Sequence, residues 1–157
     1  MNRILVVDDD PLVCEIVAGC LRQDMPAYVD AAQNGRDGAL LIKGYQFDLA
    51  VIDAVLPDMD GLALAELAAN QHTGVLLTSG DPETCETFDR FNLPHLRKPF
   101  DLDALVGAAS VIIRDTGENI RRVRTAAAQL GVHMEELAAK QETSRRLMEQ
   151  AKAGTSS

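Results

Sequence analysis

Apolar positions follow two alternating rhythms along this chain. Unbroken short runs occur in RILVVD (3–8), FDLAVID (47–53) and GVLLTSG (74–80), with weaker ones at 27–32 and within LPHLRKPF (93–100). Each is short, aliphatic and bounded by turn-forming residues, which reads as a strand. Between the first two runs, Leu12, Ile16, Val17, Cys20 and Leu21 recur at spacings of three and four, one face of a helix that stops near Gln23. Further helices are predicted over GRDGALLIKG after the QNG turn, over LALAELAANQ (62–71), from Pro82 to about Arg90, and over LDALVGAASVIIR. Asp10-Pro11 and Asp81-Pro82 each join a capping side chain to the residue best tolerated at the first helical position, and Asp101 caps the fifth helix.

Five strands alternating with five helices imply an α/β fold, a doubly wound five-stranded parallel sheet covered on both faces. Ligands of such sheets sit at the carboxyl ends of the strands. Asp8, Asp9, Asp10, Asp53, Thr78, Ser79 and Lys98 all fall there, on one rim.

Residues 115–157 lie outside this alternation, after a break at DTGEN, so the domain is expected over 1–114 with a helical C-terminal tail over 115–157. Ile120, Val123, Ala127, Leu130, Met134, Leu137, Gln141, Ser144, Met148 and Ala151 step by three and four, a heptad seam. Gln141 and Ser144 interrupt the seam and Gly131 weakens the helix, which suggests a modest pairing surface, used between two chains as a homodimer or folded back on the domain. AKAGTSS at the end is expected to be disordered. A helix-turn-helix over 126–140 is the competing reading. Its recognition stretch, HMEELAAK, sets Glu135 and Glu136 towards phosphates and offers one lysine, which argues against nucleic acid.

Composition narrows the class. At 46% hydrophobic and 25% charged, the chain has no apolar run near the roughly 18 residues of a membrane span and no secretory signal pattern at its N-terminus. Cys14, Cys20 and Cys85 are an odd number without metal-type spacing, as for reduced thiols in a cytoplasm. Residues 1–114 hold 8 Lys+Arg against 18 Asp+Glu, a poor match to nucleic acid. Three carboxylates on one rim repel unless a cation gathers them, and hard oxygen donors of this kind suit magnesium. Lys98 adds a point charge suited to a phosphoryl group, and Thr78 a hydroxyl donor. Asp53, alone at the end of its strand and opposite the acid pair, is the candidate nucleophile for an aspartyl phosphate.

The stretches ILVVDDDP, DLAVIDAVLPDMDG, GVLLTSG and RKPF, in this order, resemble the response-regulator receiver domain of two-component signalling. The resemblance covers residues 1 to about 114 and implies a flavodoxin-like strand order, 2-1-3-4-5. It further implies Asp53 as phosphoacceptor, Asp9 as a direct magnesium ligand, Asp8 as a ligand through water, and the Val55 backbone carbonyl as a third contact. Lys98 would pair with the phosphoryl group, Thr78 would move towards it, and Pro99 would follow a cis peptide bond. The expected partners are a histidine kinase or phosphotransfer protein as donor and a downstream protein target.

Two positions depart from the family pattern. His95 stands where a Phe or Tyr usually serves as the rotating switch. Val55 and Gly80, two residues after Asp53 and Thr78, lack a polar side chain to position an attacking water, which predicts a long-lived phosphoryl group. The reading is of a signalling protein rather than an enzyme. One alternative is a DNA-binding transcriptional regulator with a minimal helix-turn-helix tail. Another is a haloacid-dehalogenase-type phosphatase, which usually needs an aspartate where Val55 stands.

Overall fold

The computed structural model describes residues 1–131. β1 (Asn2–Val7), α1 (Pro11–Asp24), β2 (Ala27–Ala32), α2 (Gly35–Gly44), β3 (Leu49–Asp53), α3 (Gly61–Asn70), β4 (Gly74–Ser79), α4 (Pro82–Arg90), β5 (His95–Arg97) and α5 (Leu102–Arg114) alternate as the apolar pattern predicts. A sixth helix, α6 (Thr116–Leu130), follows after the single residue Asp115. The strands are parallel in the order β2-β1-β3-β4-β5, as expected.

Alternation along each strand splits the core in two. Leu5, Val7, Ala50, Ile52, Val75 and Leu77 face α2, α3, Phe88 of α4, and Val123 and Ala126 of α6. Ile4, Val6, Leu49, Val51 and Leu76 face α1 and α5 through Val17, Leu21, Leu105 and Ala109. Among the described residues every helix is capped by an acid or amide: Asp10 accepts from the Leu12 N–H, Asn34 from Asp37, Asp60 from Leu62, Asp81 from Glu83 and Thr84, Asp101 from Asp103 and Asp115 from Glu118. These contacts satisfy amides that each first turn leaves without an intrahelical partner.

The α6 helix lies against α3 and β4, burying Asn119, Val123, Ala126 and Ala127. β5 is three residues long and pairs only with Leu77–Ser79. The Leu77 N–H reaches Pro94 O, and Val75, two residues earlier, points its backbone groups the same way, past the start of β5. Asn119 meets them: its Oδ1 accepts from the Val75 N–H at 2.7 Å and its Nδ2 donates to Val75 O at 2.8 Å. Thus three predicted seam positions, Ile120, Val123 and Ala127, face the sheet domain of the same chain. Gly131 ends α6 with φ 66°, the left-handed conformation that glycine adopts without strain. Seam positions from Met134 onward, most of the 126–140 helix-turn-helix and the final AKAGTSS lie outside the described residues.

Candidate phosphoacceptor site

The rim is built from strand ends. β1 delivers Asp8 as its chain leaves the sheet, and Asp8 is 3% exposed. One Asp8 oxygen, Oδ1, accepts from the Asp10 N–H at 2.9 Å, while the side chain of Asp10 turns away to cap α1. Asp9 is exposed. The three consecutive acids therefore have three different surroundings.

Asp53 is the last residue of β3, 7% exposed and paired in register with Thr78 of β4. Its Oδ1 accepts from the Val55 N–H at 3.0 Å. Lys98, just after β5, is placed by its own N–H on Ser79 O at 2.8 Å and is joined to Pro99 by the expected cis peptide. The Lys98 ammonium lies 2.6 Å from Asp8 Oδ2 and 2.8 Å from Asp53 Oδ2. Burial alone would depress the Lys98 pKa, but the hydrogen bonds to Asp53 and Asp8 outweigh it and hold the group above its ordinary value.

One carboxylate oxygen from each of Asp8, Asp9 and Asp53 lies within 4.8 Å of the other two. An all-oxygen donor set this compact, beside a single ammonium, fits a hard divalent cation such as magnesium. Thr78 is buried beside Asp53, whereas Val55, two residues after Asp53, is 64% exposed. The structure brings Asp8, Asp9, Asp53, Thr78, Val55 and Lys98 together on this rim. His95 lies apart from the carboxylates. It pairs in register with Leu77, and its side chain is 14% exposed. Nδ1 is 2.8 Å from Leu93 O, Nε2 is 3.4 Å from Asp89 Oδ1, and the ring meets Phe88 edge-on at 5.6 Å. Two contacts around the site had no separate sequence signal, the Lys98–Asp8 bond and a link from Asp58 to α2.

The fold and this rim define a receiver-type domain. The response regulator receiver domain family matches residues 4–110, and the chain belongs to that family. It is 30% identical over 124 residues to the DNA-binding dual master transcriptional regulator RpaA of Synechocystis, covering 74% of this chain and 51% of that protein. It is 32% identical over 108 residues to a probable C4-dicarboxylate response regulator, DctR, of Priestia megaterium, covering 65% of this chain and 47% of that protein. The chain thus spans about half the length of these relatives. In structure it is similar to a CheY-like receiver domain protein from Methanospirillum hungatei, with a TM-score of 0.67, 24% identity, and coverage of 75% of this chain and 98% of that one. Among the described residues, no helix is long and apolar enough to cross a membrane.

Proposed function

We propose that this chain is a response-regulator switch in which Asp53 accepts a phosphoryl group, with magnesium held by Asp8, Asp9, Asp53 and the Val55 carbonyl. The donor is the phosphohistidine of a histidine kinase or phosphotransfer protein, and the output is a contact with a downstream protein. The observation that carries this reading is the buried pair Asp8 and Asp53, bridged by Lys98 at the carboxyl end of a parallel sheet.

The chemistry follows from these groups. A carboxylate oxygen of Asp53 attacks phosphorus as the P–N bond of the donor breaks and its electron pair leaves with the imidazole nitrogen. Bound magnesium supplies charge neutralisation for the transferring oxygens. The resemblance to the family assigns exposed Asp9 as a direct ligand and buried Asp8 as a ligand through water. Lys98, freed from one carboxylate, pairs with a phosphoryl oxygen, and the Thr78 hydroxyl donates to another. An apolar groove lined by Val13, Ile16, Val17, Pro99, Phe100 and Leu102 runs beside Lys98. Such a surface favours a protein donor over a small molecule as the physiological one.

Phosphorylation by phosphoramidate, followed by intact-protein mass, tests the reading. Wild type gains one phosphoryl group only with magnesium, and Asp53→Asn gains none. Asp9→Ala abolishes labelling and Asp8→Ala weakens it. Labelling that survives Asp53→Asn overturns the assignment.

A further inference from the structure

The segment between Asp53 and α3 is fastened at both ends. At its base, a Cβ added to Gly61 would stand 2.1 Å from the Asp53 carbonyl oxygen, so only glycine lets α3 start this close to the phosphoacceptor strand. The Gly61 N–H also donates to Ala54 O at 2.9 Å, and Val55 and Asp60 form a bridge. At its tip, Asp58 reaches across to α2. One carboxylate oxygen accepts from the Gly35 N–H at 2.8 Å and the other from the Arg36 N–H at 2.9 Å. Met59 packs over the same point, its Cγ 2.3 Å from where a Gly35 Cβ would be.

Helix α2 already has a local cap, because Asn34 accepts from the Asp37 N–H at 2.7 Å. Asp58 comes from 23 residues away to take the two remaining first-turn amides. A carboxylate is favoured there by the positive end of the helix dipole, and two bonds to two neighbouring amides fix the rotation of the loop as well as its position. Val55 stands at the base, bridged to Asp60 with its N–H on Asp53 Oδ1. We infer that Asp58 is a positioning residue for the cation site: by tying the loop tip to α2 it holds Val55 beside Asp53, so that the backbone at Val55 is set before the ion arrives. This rests on the reading of Asp8, Asp9 and Asp53 as a magnesium site.

Calorimetric titration of the full chain with magnesium chloride tests the inference. Loss of an outer partner that orients a ligand typically weakens metal binding by about 10–100-fold. Asp58→Ala is expected to weaken magnesium binding about tenfold, at the low end of that range because base contacts remain. Asp58→Asn, which keeps one acceptor, loses less. Gly35→Ala displaces Met59 and the loop tip without altering charge, and it too binds magnesium more weakly. These losses persist at raised salt, where the loss of a remote charge is screened. Asn119→Ala, which loosens the sheet at the opposite end, keeps wild-type affinity. Unchanged affinity in both Asp58→Ala and Gly35→Ala overturns the inference, as does a loss that salt abolishes or one that Asn119→Ala reproduces. A wild-type chain that binds no magnesium overturns the cation reading and this inference with it. A wild type that binds, with unaltered Asp58 variants, overturns this inference alone.

Discussion

Lys98→Ala separates the charge balance of the rim from its packing. The ammonium sits within 2.8 Å of both Asp8 and Asp53, and these acids are too buried to turn to water. Without it, carboxylate oxygens that lie within 4.8 Å of one another face only like charge. Two unit charges at that distance repel by roughly 3.5 kcal/mol at an effective dielectric of about 20. Deleting one partner of a buried ion pair costs about 3–5 kcal/mol, and the partial exposure of Lys98 reduces this to about 2–4 kcal/mol. Magnesium should reverse most of it, because a ligand at a hundred times its Kd stabilises the folded state by about 2.7 kcal/mol. Wild type gains less, since its own ammonium competes for the same two oxygens. Urea unfolding followed by circular dichroism, with EDTA and then with saturating magnesium, reads both effects. A loss under about 1 kcal/mol in EDTA, or one that magnesium leaves unchanged, refutes the electrostatic account of the site.

Asn119→Ala leaves the Val75 N–H and C=O without partners in a buried place and should cost about 2–4 kcal/mol in the same assay; a chain ending at Arg114 as stable as the full chain would show that α6 contributes nothing to the sheet. Because the Lys98 pKa is raised in the folded state, its stabilisation is complete below its ordinary value of 10.5 and is lost as pH rises through the higher folded value. Unfolding midpoints of wild type should therefore fall in strongly alkaline solution more steeply than those of Lys98→Ala, and parallel curves would contradict this. With Val55 exposed and no side chain at Gly80, the phosphoryl group on Asp53 should persist well beyond seconds at neutral pH with magnesium; Val55→Asn should shorten its life, and rapid loss from wild type refutes the idea. Asp10→Ala removes the bond to the Leu12 N–H and should cost about 1 kcal/mol while leaving phosphorylation intact, whereas a loss of labelling would place Asp10 in the site.

The strands and the rim were legible because their signals are local. A buried parallel strand must be a continuous aliphatic run, and the acidic rim lies where that run stops, so Ile4–Val7 followed by Asp8 and Asp9 announces both. The role of α6 was not local. Val123 and Ala127 at heptad spacing satisfy a partner helix equally well whether it belongs to another chain or, as here, is α3 of the same one. Two clues lay elsewhere in the sequence. Seven of the ten residues of α3 are buried, and its run of alanines and leucines has almost no polar face, which calls for a second covering layer. The apolar stretch of β5 is shorter than that of β4, which leaves backbone groups on β4 without a neighbouring strand. Asn119 answers the second need from the helix that answers the first, since an asparagine amide carries the donor and the acceptor that a missing strand residue would have offered. Asp58 was hidden for a related reason. Within LPDMDG it reads as one more loop acid, and only the fold brings the first turn of α2, 22 residues earlier at Arg36, within reach of its carboxylate.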